Sequence, residues 1–239
     1  MANKFLKNDT KLLGLIDQAT QSEIKRRNFR FDHEVYHTKH LTECPRRLMY
    51  RVMAHEVDQV DHVPEFLNDN HLEYVKRKWV DFFSECKYTS VLGRDVLAAD
   101  CNYNIVGSAD VILKIGDFTS ILIVDSLDTK SYQKSKNTGG LRRHVVDIMT
   151  VMWLVEVENG ILFCENKATN EYFMSHIIPY QPIIDSVLNK CKNLVEKRIL
   201  QKMPDRVYKS HDNNECKLCK YRSTCWRKKG EEHAQEADK

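Results

Sequence analysis

Four of the eight cysteines in this 239-residue chain are spaced for metal chemistry. Cys216, Cys219 and Cys225 form a C-x2-C-x5-C run, and Cys44 stands far upstream within Thr42-Glu43-Cys44-Pro45-Arg46-Arg47. A C-x2-C pair grips one metal centre through a tight turn, a third cysteine a turn or two later adds a thiolate, and a distant fourth completes a four-thiolate site. Such a site would staple the N-terminal segment to the C-terminal one. Zinc and an iron-sulfur cluster both accept four thiolates. One isolated cysteine plus a trio is an unusual frame for zinc, which is more often held by two close pairs, and it leaves more room for a cluster. Cys86, Cys101, Cys164 and Cys191 sit among apolar residues and are expected to be core thiols.

A second candidate site is made of hard ligands. His71 falls on a helical stretch, Asp110 lies in a strand within Gly107-Ser108-Ala109-Asp110, and Asp125 ends the apolar run Ile121-Leu122-Ile123-Val124. An acid at the end of a buried strand is costly unless it meets a cation, a partner or solvent. Two such acids on adjacent strands, with a histidine from a neighbouring helix, would suit Mg or Mn, which can activate water against a phosphate. Glu73, one turn from Lys76 and Arg77, is most simply a helix-surface ion pair.

The elements that must position these residues follow from periodicity. Residues 8–27 suggest a first helix, and Pro45 suits the first turn of a second beginning at Cys44. Leu72, Val75, Trp79, Phe82 and Phe83 recur at helical steps, which predicts a third helix from Asn68 to about Glu85. The period then changes to strands at Val96–Cys101, Ile105–Ile115 and 121–124. Residues 131–140, rich in Ser, Lys, Asn and Gly, are expected to be a loop. A helix over Leu141–Val157, a strand pair at Ile161–Glu165 and Tyr172–Ile178, and a long amphipathic helix from Pro182 through Lys202 complete the order. This predicts a mixed α/β core whose central sheet is covered by helices on both faces.

Composition narrows the partners only a little. Hydrophobic content of 42% supports a real core, and net charge of +3 is neutral on nucleic acid. The charge is clustered, however, at Lys25-Arg26-Arg27, Arg46-Arg47, Lys76-Arg77-Lys78, Arg142-Arg143 and Lys217 through Lys229. No apolar run approaches the roughly 20 residues of a membrane span. With no signal peptide and no disulfide framework expected, the compartment is read as reducing, intracellular and cytoplasmic.

Taken together, Cys-Pro-Arg-Arg followed by Leu48-Met49-Tyr50, a helical histidine, Gly-x-x-Asp, an acid ending the next strand and the terminal cysteine trio resemble the iron-sulfur branch of the RecB-like PD-(D/E)XK nucleases. That branch includes the CRISPR-associated iron-sulfur exonucleases and many phage proteins. The similarity spans about Cys44 to Cys225. It implies a restriction-endonuclease-like sheet and a DNA end-processing nuclease of a bacterial or phage-infected cell. His71, Asp110 and Asp125 would hold Mg or Mn, Asp110 and Asp125 serving catalysis, while Cys44, Cys216, Cys219 and Cys225 bind a structural [4Fe-4S] cluster. The basic pairs Arg46, Arg47 and Arg142, Arg143 would meet DNA. A helicase, recombination or viral protein is the kind of partner such a nuclease would have.

The chain departs from the family in two places. The third-strand motif is acid, any residue, lysine, but here it is Asp125-Ser126-Leu127, so Lys130 of Asp128-Thr129-Lys130 is the candidate substitute. A slip of three residues reverses strand parity and demands a bulge or a strand end near Ser126. The family's glutamine and tyrosine on the next helix are replaced by Asp147 and Val151, after His144. A carboxylate where phosphate would lie opposes DNA binding. Lys167 matches a lysine of the related phage proteins and is expected in a turn. Two outcomes stay open: an active nuclease, or a degenerate nuclease fold serving as a DNA-binding or assembly subunit. The expected organisation is a helical segment over 1–43, a nuclease-like domain over 44–229 and a disordered tail over 230–239.

Overall fold

The computed structural model describes residues 35–55 and 65–226. The helix expected at 8–27 and the tail at 230–239 lie outside them. The elements are β1 (Tyr36–His37), a turn of 3-10 helix (Thr38–His40), α1 (Pro45–Val52), α2 (Glu65–Glu85), β2 (Thr89–Asp100), β3 (Ile105–Ile115), β4 (Phe118–Leu127), α3 (Thr129–Thr138), α4 (Arg142–Val155), β5 (Asn159–Asn166), β6 (Tyr172–Ile177), α5 (Gln181–Ile199), α6 (Asn214–Lys217) and α7 (Arg222–Trp226).

The strands form one six-stranded mixed sheet in the order β1-β3-β4-β5-β6, with β2 paired to β3. Because β2 runs antiparallel along nearly all of β3, the other edge of β3 is shared: β4 pairs with its Val111–Ile115 end and β1 lies parallel to Ile105 and Val106. The β4–β5 pair is parallel, so the chain must cross over between them, and α3 and α4 make that crossing. β6 returns antiparallel to β5 as a hairpin.

Helices cover both faces, as the periodicity predicts. On one side Ile148, Met149, Val151 and Met152 of α4 pack on Ile121, Leu162 and Cys164, with Ile184 of α5 beside them. On the other, Val75 and Val80 of α2 pack on Val111, Leu113, Leu122, Val124 and Phe163. A third cluster joins Tyr36 and Leu41 to Leu48 and Met49 of α1 and to Val187, Cys191 and Leu194 of α5. Tyr36–Leu41, assigned from sequence to the N-terminal segment, therefore belong to the packed body.

Two sequence expectations need correction. The 131–140 stretch is the helix α3, not a loop: Asp128 caps it by accepting the Ser131 N–H at 3.0 Å, and Gly139 at φ 70° closes it in the left-handed conformation. Of the four expected core thiols, Cys164 and Cys191 are buried, but Cys86 is half-buried at the end of α2 and Cys101 is exposed in the β2–β3 turn.

Gly107, which begins the Gly-x-x-Asp motif, is set by packing. A Cβ there would lie 2.7 Å from Thr38 Cγ2, 2.9 Å from Thr38 Oγ1 and 2.9 Å from Val151 Cγ2. Its absence lets the 3-10 turn lie between β3 and α4. Gly107→Ala is expected to cost about 1–3 kcal/mol by overpacking, read as a lower urea midpoint; unchanged stability would show that the 3-10 turn yields freely.

Candidate functional site

Asp110 reaches the β4 backbone one residue before Asp125, where β3 and β4 part. The ladder between these strands ends at Val111–Leu122. Beyond it the Val124 N–H donates to Asp110 Oδ2 at 2.6 Å, so a side chain from β3 takes the place of a backbone acceptor. From the α2 side, Lys76 Nζ sits 2.7 Å from Asp110 Oδ1. Asp110 is buried. Burial pushes its carboxyl above the usual range, against the charge and hydrogen bond of Lys76 and the Val124 N–H. Lys76 is held above its usual value: burial opposes, but the Asp110 charge outweighs it.

Asp125 is bound from the other face. His144 Nε2 lies 2.7 Å from Asp125 Oδ2, the Arg143 guanidinium lies 3.2 Å from the same oxygen, and the Ser126 N–H donates to Oδ1 at 2.8 Å. Burial opposes ionisation of Asp125, yet the His144 and Arg143 contacts prevail and hold its carboxyl below the usual range. Both carboxylates are thus fully engaged by protein donors, Asp110 through α2 and Asp125 through the first turn of α4.

Asp147, one turn further along α4, adds a third acid. It is hydrogen-bonded to Thr38, and burial pushes its carboxyl up to about 6, with the Thr38 bond and His144 opposing and the Asp110 charge adding to the rise. His71 lies on α2 with its Nε2 buried and unpartnered among the described residues. His71, Asp110 and Asp125 do not converge as one close donor set: among the described residues, no three His, Cys, Asp or Glu side chains are gathered tightly enough to enclose an ion.

The lysine question has a geometric answer at two positions. Leu127 is buried with Ala109, Tyr132 and Ile148 in the α4-side core. Lys130 is exposed in the first turn of α3, and Asp128 is occupied as the cap of that helix. β4 does end next to Ser126, at Leu127, but the chain leaves it as a helix and carries Lys130 outward. Lys167 is in the β5–β6 turn, its N–H donating to the Leu127 carbonyl at 2.8 Å.

Lys76 and Glu165 are the residues sequence reasoning missed. The run Lys76-Arg77-Lys78 looks like a solvated patch, but only Arg77 is exposed; Lys76 reaches Asp110 and Lys78 pairs with the buried Glu165, which also accepts the Trp79 Nε1–H at 2.6 Å. The available signal was position: Lys76 lies four residues from both Leu72 and Val80, inside the apolar stripe rather than opposite it.

The four distant cysteines do come together. Cys44, Cys216, Cys219 and Cys225 line one cavity of about 50 Å³, several times the roughly 10–15 Å³ that one water needs. Cys44 is the residue before α1, where Pro45 starts the helix as expected. Lys190 of α5 donates to the carbonyls of Leu41 and Glu43, both at 2.6 Å, and fixes the approach to Cys44. Arg206 holds the Cys225 carbonyl through Nε at 3.1 Å and through its terminal nitrogen at 2.6 Å, and its guanidinium covers the Trp226 ring at 4.6 Å. Arg46 and Arg47 line the same cavity; Arg46 donates to Tyr50 Oη at 2.9 Å and Arg47 pairs with Glu43 at 3.1 Å.

With this geometry in hand, the fold can be set beside known structures. An alkaline exonuclease from Laribacter hongkongensis superposes with a TM-score of 0.55 at 9% identity, over 74% of this chain and 93% of that one. The two share a fold. The same exonuclease in complex with dAMP aligns at TM-score 0.54 and 10% identity, over 71% and 89% of the chains. The protein SSO0001 aligns at TM-score 0.51 and 16% identity, over 85% and 94%. No family model matches the chain, and no curated protein matches it in sequence. The mixed sheet between helical layers is thus a nuclease-like fold. No helix among the described residues is long and apolar enough to cross a membrane.

Asp147 gives the site a pH-dependent stability. Its folded value of about 6 lies above the ordinary 3.8, so the folded chain holds the proton more tightly than the unfolded one. That stabilisation is complete below about pH 4 and lost as pH rises through about 6. Asp147→Asn is expected to gain roughly 2–3 kcal/mol relative to wild type between pH 4 and pH 8, measured by urea unfolding of metal-free protein. An equal effect at both pH values would mean that Asp147 ionises freely.

Proposed function

We propose that the protein is a Mg- or Mn-dependent deoxyribonuclease that processes DNA ends, and that its cysteine cavity holds a structural [4Fe-4S] cluster. The observation that carries the first part is the placing of Asp110 against the β4 backbone beside Asp125 at the β3–β4 fork, in a fold shared with an alkaline exonuclease that also has a structure with dAMP. The two carboxylates are the hard oxygen donors that Mg or Mn takes, a pair that substrate phosphate and water would have to complete, because His71 on α2 is not gathered with them. A divalent ion bound there would activate water and neutralise charge on the phosphate. This chain's own part is to keep Asp125 ionised through His144 and Arg143 and to offer Arg142 and Arg143, both exposed at the start of α4, to the DNA backbone.

The cavity supports the second part. A single zinc about 2.3 Å from each sulfur would draw four thiolates within roughly 4 Å of one another. All four cysteines line one cavity, a set that a multi-iron cluster could take, and the cationic residues lining it, Arg46, Arg47 and Arg222, would offset thiolate charge.

A second reading is favoured by one specific observation. Every oxygen of Asp110 and Asp125 already has a protein donor, and the motif lysine is replaced by the buried Leu127. On that basis the chain would be a degenerate nuclease fold that binds DNA or assembles with a helicase, recombination or viral protein.

Anaerobically purified protein, incubated with Mn and end-labelled single- or double-stranded DNA, separates the two. Cleavage that falls about 100-fold or more in a folded Asp110→Asn variant supports the nuclease. Absence of cleavage by iron-replete protein supports the assembly subunit. Independently, Cys219→Ser is expected to lose the visible iron-sulfur absorbance and to lower the unfolding midpoint, since metal binding is coupled to folding. A variant that keeps both would remove the cluster.

A further inference from the structure

The lysine that β4 lacks has a counterpart on another element. Leu127 is sealed in the core and Lys130 is carried outward on α3. Lys76 rises from α2, on the opposite side of the sheet from α4, and its ammonium lies 2.7 Å from Asp110 Oδ1. It feels the charge of both Asp110 and Asp125. Its neighbours on the helix face are the buried Val75 and Val80, yet its side chain keeps 26% exposure, with the ammonium held at the fork.

Lys76 offsets the cost of burying Asp110, but stability alone requires neither partner of the pair. Replacing a buried ion pair with well-packed apolar groups is often neutral or stabilising, and Lys76 sits in a stripe where an apolar residue would pack directly on the sheet. The pair is better explained by what an ammonium can do beside two carboxylates that face phosphate chemistry.

We propose that Lys76 is the lysine of this active site. The assignment rests on the nuclease reading above. In metal-free protein its ammonium is the counter-ion of Asp110. Asp110 and Asp125 would hold a divalent cation, which would supply the activated water, and Lys76, no longer the sole counter-ion of Asp110, would offer its charge to the phosphate. Hydrolysis forms a bond from the water oxygen to phosphorus and breaks one P–O ester bond; one water proton passes to the leaving oxygen and the other to solvent. Lys76 keeps its own proton throughout and contributes positive charge to the phosphorane-like transition state. The lysine function has thus moved from the strand to the helix, and the Leu127 position has been given over to the core.

Two readouts test this with Lys76→Met, Lys76→Gln and Lys76→Arg, each checked for folding by its thermal melt. Steady-state cleavage of end-labelled DNA with Mn should show kcat lowered about 100-fold in the neutral variants, KM changed far less, and partial recovery in Lys76→Arg. Calorimetric titration of the DNA-free protein with Mn should show about 5-fold or tighter binding in the neutral variants, because the ammonium no longer competes for the Asp110 oxygen. Wild-type kcat in either folded neutral variant, or Mn affinity equal to wild type, overturns the assignment. The two levels stay separable: wild-type protein that does not cleave removes the nuclease reading and Lys76 with it, whereas wild-type cleavage with unaffected neutral variants removes Lys76 alone.

Discussion

Two carboxylates, one buried and one partly exposed, set the terms for everything around them where the sheet splits. Asp110 and Asp125 lie at the point where β3 has lost its β4 partner and begins to take up β1. An ionised acid in that position is costly unless it is paired and hydrogen-bonded. The structure supplies both from opposite faces: α2 brings Lys76, α4 brings Arg143 and His144, and the freed backbone contributes the Val124 and Ser126 N–H groups. The helices are therefore more than a cover for the apolar faces. Their register along the sheet is tied to where the charges must sit, so the same packing that buries Val75 and Ile148 also aims Lys76 and His144 at the fork.

The cysteine cavity answers a different constraint. Cys44 and the trio at 216–225 are separated in sequence by strands β2 to β6, and the trio arrives on short elements with little core of their own: α6 and α7 bury no residue. What fixes their backbone is polar. Lys190 spans from α5 to the two carbonyls before Cys44, and Arg206 binds the Cys225 carbonyl while stacking on Trp226. Burial lowers the proton affinity of Lys190 against neighbouring negative groups, so holding it charged there carries a cost. A cation kept in such a place serves position better than stability, and the position it serves is that of the first cysteine.

Much of this was legible in the chain. Alternation and apolar runs located β3 to β6, helical steps located α2, α4 and α5, and Pro45 marked the start of α1, because each of these elements buries one clear face. The element that escaped was α3. It buries little beyond Tyr132 and Ser135, so its composition resembles a loop, and only its ends, Asp128 with Ser131 and Gly139, carry the signature. The acids of the site were visible as polar breaks in apolar strands. The donors that answer them were not. Lys76 and Lys78 stand in one basic run, yet two residues of helix turn them through about 200°, and they pair with acids on different strands, Asp110 on β3 and Glu165 on β5. Periodicity places a residue on a face, but which strand end lies opposite depends on helix-sheet register, and a single sequence does not carry it.

The saturation of both acids bears on activity less directly than it first suggests. A carboxylate locked by backbone alone could not receive an ion without unfolding the strand. Here each acid has one oxygen held by a backbone N–H and the other by side chains. The backbone bonds fix the direction in which the carboxylate points. The side-chain donors are all cations or imidazole, the groups that a divalent ion displaces and that a phosphate attracts. Lys76 and Arg143 therefore supply the charge balance of the two acids: Lys76 opposes the rise that burial gives Asp110, and Arg143 with His144 holds Asp125 below its usual range. A site preserved only as scaffold has no need of that exchangeable half, since apolar replacement would fill the same volume without the desolvation penalty.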